Sequence, residues 1–364
     1  MAAFDTIWPA DSIEFCPNDE ASNIFVCGTY NLEKSDETIS PETDLQEPPR
    51  PQKRRGKILL FEVEDAEDST TLNNIEEVDL PAVLDLKWCH RDSSLPPLLA
   101  SADSEGGIKL FEYHALERRL VMSQSIVCAE PHVLCLSIDW SNRRTATTGL
   151  GSLVVSMSDK NVSVLQFNGS ELAVAQTWAA HDFEPWIAAW NYWDTNIVYT
   201  GGDDLKMKAW DIREDCTQPI FTNSRFDAGV TTIQSHPFVE HLLAVGSYDN
   251  TVRLFDVRKP LRPLVQADVG GGAWRVKWHS SPERKEDLLV ASMHDGAKVV
   301  RFNHAILGSL PSATQEWEIT QRMDKHESMA YGADWSFQGV NGGKDSTLIV
   351  SCSFYDHVLY TWRG

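Results

Sequence analysis

Aromatic, acidic and basic side chains recur at comparable places in the second half of the chain: Glu184 and Trp186 in HDFEPW, Trp274 in GGGAW and Tyr331 in HESMAYG, with Asp203, Tyr248, His294 and Tyr355 in four short turns. Ring faces attract an alkylammonium cation, and nearby carboxylates balance its charge. Gathered around one opening, Trp186, Asp203, Tyr248, Trp274, Tyr331 and Tyr355 would cage a quaternary ammonium group. Glu184 and His294 are the candidates for activating a water molecule as general base. Other chemistries lack their signatures. There is no G-x-S-x-G elbow, no Walker-type phosphate loop and no G-x-G-x-x-G between a strand and a helix. His326-Glu327 opens like H-E-x-x-H but has no second histidine, and the seven cysteines include no C-x-x-C pair, so the sequence calls for neither a metal nor an organic cofactor.

The elements that must position these groups are visible as repeats. A short apolar strand, an acidic turn and an alternating strand recur as FVCGTY…GKILLFE, LASADSEGGIKLFE, VVSMSDKNVSVLQF, VYTGGDDLKMKAWD, LAVGSYDNTVRLFD, LVASMHDGAKVVRF and IVSCSFYDHVLYTW. Aligned at Phe61, Phe111, Leu165, Trp210, Phe255, Phe302 and Trp362, successive copies lie 50, 54, 45, 45, 47 and 60 residues apart. WD-repeat blades have a period of about 40–45 residues, and loop insertions lengthen it. Each copy follows a further strand, and in five copies that strand carries a tryptophan at one position: Trp88, Trp140, Trp190, Trp278 and Trp335. A large aromatic recurring on an inner strand is blade-to-blade packing. The expected fold is therefore all-β: one seven-bladed WD-repeat β-propeller over 1–364. Only Arg363 and Gly364 follow the last repeat, so the missing outer strand of that blade should come from the N-terminus, near Phe4 to Trp8. His181 and His326 each stand nine residues before an inner-strand tryptophan, and Asp204, Asp249 and Asp356 stand six before a repeat end. These form the blades' structural network, with His181 expected on Asp204 and His326 on Asp356.

Two segments interrupt the pattern. Residues 31–56, with four prolines among mixed charges, are expected to be a disordered insertion within blade one, and 62–79, rich in acids without lysine or arginine, an acidic loop. Acids outnumber bases 53 to 32, giving a formal charge of −21, which disfavours direct nucleic-acid binding and favours a basic partner. No apolar run is long enough to cross a membrane, and Met1 to Trp8 has no signal-peptide pattern, so a cytoplasmic protein is expected.

Over about Trp178 to Gly364, the segments HDFEPWIAAW, GGDD, GSYDNTVRLFD, GGAWRVKWH, MHDG, HESMAYGADWS and CSFYDHVLYTWRG are similar to the WD-repeat diphthine methyl ester hydrolases of the eukaryotic diphthamide pathway. The first half resembles them only as generic blades with an insertion. The resemblance implies hydrolysis of the methyl ester of methylated diphthine, on a histidine of translation elongation factor two, before the final amidation. It implies the elongation factor as protein substrate and other enzymes of the pathway as partners. Diphthine carries a trimethylammonium group, which suits an aromatic and acidic channel mouth. Glu184 and His294 are not carried over from the family; they rest on their own chemistry. The rival reading is a non-catalytic scaffold that presents the elongation factor to the amidating enzyme, since propellers of this kind are more often adaptors.

Overall fold

Short runs of small and β-branched residues, cut by glycine- and aspartate-rich turns, favour tightly connected antiparallel strands over helices. The computed structural model describes residues 1–33, 53–65, 69–144, 146–147, 149–169, 171–303, 316–338 and 346–364. They form seven antiparallel sheets, six of four strands and one of five, and contain no α-helix. The innermost strands are Ala10–Phe15, Val83–Trp88, Cys135–Trp140, Ile187–Trp190, Val230–Ser235, Arg275–Trp278 and Ala330–Trp335. They surround the central channel of a seven-bladed propeller.

The recurring tryptophans join the blades in two ways. Their rings fill the seams between sheets, where Trp88, Trp140 and Trp190 are wholly buried. In four of the five the indole N–H also reaches the neighbouring inner strand: Trp88 donates to the Glu14 carbonyl at 3.2 Å, Trp140 to Lys87 and Trp190 to Asp139 at 3.0 Å, and Trp335 to Lys277 at 2.9 Å, whereas the Trp278 N–H has no acceptor among the described residues. A buried donor is satisfied and the seam is fixed by one side chain.

Closure follows the expectation with a shift. Ala3–Asp5 is the fourth strand of blade seven, pairing Ala3 with Tyr360, Phe4 with Leu359 and Asp5 with Val358. Pairing stops before Trp8 because Ile7 takes φ 66° and its N–H turns back onto the Asp5 carboxylate at 2.8 Å. The 62–79 segment is not a loop. Arg54–Asp65 and Thr70–Pro81 pair as the outer hairpin of blade one. Ile75, Val78 and Leu80 pack onto the core, while Glu77 meets Lys57 at 2.6 Å. Glu77 and Asp79 are exposed on the outer strand, whereas Asp65, on its neighbour, is largely buried against Arg363. Of 31–56, the ends pair, Asn31 with Arg55 and Leu32 with Arg54, and 34–52 lie outside the described residues.

In blade four, His181 Nδ1 meets Asp204 at 2.8 Å, its Nε2 meets the Thr200 hydroxyl at 2.8 Å, and Trp210 donates to that hydroxyl at 2.9 Å. Blade seven inserts a hydroxyl: His326 reaches Ser353 and Ser351, both at 2.8 Å, and Ser353, not the histidine, bonds Asp356. In blade five Arg253 takes the histidine's place, 2.8 Å from Asp249.

Candidate functional site

Two sets of residues recur at fixed places on or just before the inner strands. One residue before the packing position of each blade (Phe15, Trp88, Trp140, Trp190, Ser235, Trp278, Trp335) stand Glu14, Lys87, Asp139, Ala189, Gln234, Lys277 and Asp334. Four before it stand Asp11, Leu84, Leu136, Trp186, Thr231, Trp274 and Tyr331. In a regular strand, positions three apart face opposite sides. Register shifts fall at Asp11, Leu84, Leu136 and Tyr331, and each such bulge re-aims its extra residue. All of the second set except Thr231 line a cavity of about 190 Å³, completed by Tyr30, Tyr248 and Phe354.

The cavity wall is a nearly continuous band of rings. Trp186 lies 6.3 Å from Tyr248 and 5.6 Å from Trp274, Trp274 lies 4.8 Å from Tyr331, and Phe354 lies 5.2 Å from Tyr331 and 6.1 Å from Tyr30. Asp203 fixes the first of these rings by accepting the Trp186 indole N–H at 2.7 Å. Its own backbone N–H donates to the Glu184 carbonyl at 3.0 Å, locking the turn of blade four onto its entry loop. At Gly332 a Cβ would come within 2.8 Å of the Ile13 backbone, so glycine lets the strand after Tyr331 approach blade one.

Deeper in the channel, charge is balanced. Lys277 bonds Glu14 and lies 3.1 Å from Asp334; Arg143 reaches Glu14 at 2.8 Å and Asp139 at 3.7 Å; Lys87 and Arg275 face Asp85, the latter at 3.9 Å. Four acids thus meet four bases. Burial alone would raise the Glu14 carboxyl, but Lys277, Arg143 and Lys87 overcome it and hold that group well below the usual range. Burial dominates at Asp139 and Asp334, pushing each up to about 6.

Asp11 has no such partner. It is 7% exposed, lines the cavity, and among the described residues its carboxylate makes no hydrogen bond or ion pair. Burial pushes it up to about 7, with Arg275 opposing and Asp85 adding to the rise. The indole N–H of Trp274 is likewise buried without an acceptor. Buried polar groups are nearly always partnered. A ligand in this cavity would thus find one free acceptor and one free donor among the described residues.

Of the residues expected from sequence, Trp186, Tyr248, Trp274 and Tyr331 meet in this cavity, and Asp203 supports it. Tyr355 does not: it is 64% exposed with its ring against Phe354, which takes the wall position instead. Glu184 is half-buried and His294 exposed, and neither lines the cavity. Asp11, Tyr30 and Phe354 were not anticipated. Asp11 stands four residues before Phe15, as Trp186 stands four before Trp190, but blade one has no tryptophan to align on and two-residue alternation from Glu14 turns Asp11 away from the channel. Among the described residues no group of three His, Cys, Asp or Glu side chains is arranged to hold a metal ion.

Fold and site together define a class: a WD-repeat propeller with an aromatic cavity at one mouth of its channel. The chain aligns with one chain of the crystal structure of the mitotic checkpoint complex at TM-score 0.68 and 14% identity, over 100% of this chain and 93% of that one, a likeness of fold alone. No protein-family model matches. The mouse diphthine methyltransferase is 38% identical over 93% of this chain and 69% of its own length. The human diphthine methyltransferase is 37% identical over 93% and 74%, and the Dictyostelium discoideum diphthine methyltransferase homolog 34% over 98% and 96%. The chain belongs to the diphthine methyltransferase family and is an enzyme of diphthamide biosynthesis, which acts on a protein substrate. No helix among the described residues is long and apolar enough to cross a membrane.

Proposed function

We propose that this enzyme hydrolyses the methyl ester of methylated diphthine on translation elongation factor two, in the cytoplasm, releasing methanol and leaving diphthine for amidation. The observation that carries this reading is the cavity of Trp186, Tyr248, Trp274, Tyr331 and Phe354 around an unpartnered carboxylate. A trimethylammonium group gains from several ring faces at once, and a buried acid supplies the opposite charge without competing water. Asp203 keeps Trp186 in place. Glu184, His294 and Tyr355 belong to the surrounding rim, where the polypeptide bearing the modified histidine docks. The acidic surplus of the chain draws a basic, RNA-binding partner toward it.

The relatives' name speaks of methyl transfer, whereas hydrolysis cleaves the acyl–oxygen bond. The two separate in one experiment. Purified protein is incubated with methylated elongation factor in ¹⁸O-water, and both products are analysed by mass spectrometry. Hydrolysis places the label in the diphthine carboxylate and releases unlabelled methanol. Label in methanol, or retention of the methyl group, refutes the reading. Activity is expected to persist in chelator, since the chemistry described needs only water and side chains.

A further inference from the structure

We propose that Asp11, held by the bulge in the inner strand of blade one, is the general base and acid of ester cleavage, and that the bound quaternary ammonium itself switches it on. This rests on the ester-hydrolase reading above. The geometric case has three parts. Among the described residues that line the cavity, Asp11 alone carries a carboxyl group. Among the described residues it has no hydrogen-bond partner, so its lone pairs are free for water or substrate. A register shift recurs at this position in blades one, two, three, five and seven, and in blade one the residue it carries into the cavity wall is an acid.

The groups facing Asp11 from other elements determine when it can act. Arg275, from blade six, favours the carboxylate; Asp85, from blade two, disfavours it. The phenols of Tyr30, Tyr248 and Tyr331 and the Cys352 thiol have raised pKa values, chiefly through burial, and stay neutral near pH 7. In the free enzyme Asp11 is thus poised between its two forms at about 7. A cation seated against the rings adds a positive charge beside it and favours loss of the proton. The substrate therefore prepares its own base.

In the step itself, the Asp11 carboxylate takes a proton from water while the water oxygen bonds to the ester carbonyl carbon. The tetrahedral species collapses with cleavage of the bond to the methoxy oxygen. That oxygen recovers the proton from Asp11 and leaves as methanol. The product carboxylic acid ionises to the solvent, and Asp11 returns to its starting form.

The test uses the full chain with methylated elongation factor, following methanol release for the wild type and Asp11→Asn from pH 5 to 9, with a thermal melt of each. Loss of one positioned base typically costs about 10²–10⁴-fold. The expected result is a drop of that size in kcat for Asp11→Asn with an unimpaired melt. In the wild type, kcat/KM should rise with pH to a plateau above about 7. The kcat profile, which reports the bound complex, should reach its plateau at lower pH. A variant with full kcat and raised KM makes Asp11 a counter-ion only and overturns the inference, as does a variant with both constants unchanged. Failure of the wild type to release methanol refutes the functional reading instead, and the inference with it.

Discussion

The same seven strands build two regions of opposite character, three residues apart. At the level of Glu14, Lys87, Asp139, Lys277 and Asp334, every described charge has an opposite neighbour. At the level of Asp11, Trp186, Trp274 and Tyr331, a carboxylate and an indole N–H are left without partners and a space stays open between rings. Both regions contain buried polar groups, so burial alone does not mark a site. What separates them is whether the chain satisfies its own polar groups. The lower level holds the blades together, and the upper level keeps its partners for something else.

The comparison breaks most sharply at Lys277. Replacing it with methionine strips Glu14 and Asp334 of their shared cation, and removing one member of a buried pair costs about 3–5 kcal/mol. A urea or thermal melt should show a loss on that scale. The Asp11→Asn variant, which also removes one buried charge, should behave in the opposite sense. A folded pKa raised to about 7 means that its contribution to stability is full below the usual carboxylate range and fades as pH rises through 7. The variant should therefore melt no lower than the wild type at pH 5 and higher at pH 8. Equal damage from both substitutions would erase the distinction between the two levels.

His181→Ala tests the scaffold away from both. The imidazole is kept neutral chiefly by burial, and its loss removes the ring that bridges Asp204 and Thr200, leaving Asp204 to backbone N–H groups and lysines and Thr200 to Trp210, at about 1–3 kcal/mol. Activity per folded molecule should stay near that of the wild type. Trp274→Ala should do the reverse. The protein stays folded, while losing one ring of the cage weakens cation binding by about 1–2 kcal/mol, roughly five- to thirtyfold in KM. The smallest effects are expected at the rim. Glu184→Gln and His294→Ala should change stability by no more than about 0.5 kcal/mol and the rate by less than about threefold. A loss there comparable to that of Asp11→Asn would move the chemistry out of the cavity.

The fold was legible because its signal is repeated: seven strand groups and five aligned tryptophans leave little freedom in the architecture. Trp186, Trp274 and Tyr331 were legible for the same reason, each standing four residues before an inner-strand tryptophan. Asp11 was not, because strict two-residue alternation from the channel-facing Glu14 turns it away from the channel, and the bulge that turns it back is absent from residue types. Phe354 and Tyr355 are adjacent aromatics in a turn, and only the packing of the turn decides which one enters the wall. The outer strand Thr70–Pro81 was hidden by its charge, since a strand with one solvated side carries acids as readily as a loop does.

The strand Ala3–Asp5 has a consequence for when the enzyme comes into being. Tyr30 and Asp11 come from the first blade, Tyr331 and Phe354 from the last, and they meet only where the ring is fastened, with partners such as Ala2 and Thr361 that are 359 positions apart. Such distant contacts are the slowest to form. A growing chain on the ribosome can complete blade after blade and still possess half a binding site. The cavity is thus the last thing this protein acquires, appearing with the clasp itself, and any agent that pried the clasp apart would open the cavity while leaving most of the blades intact.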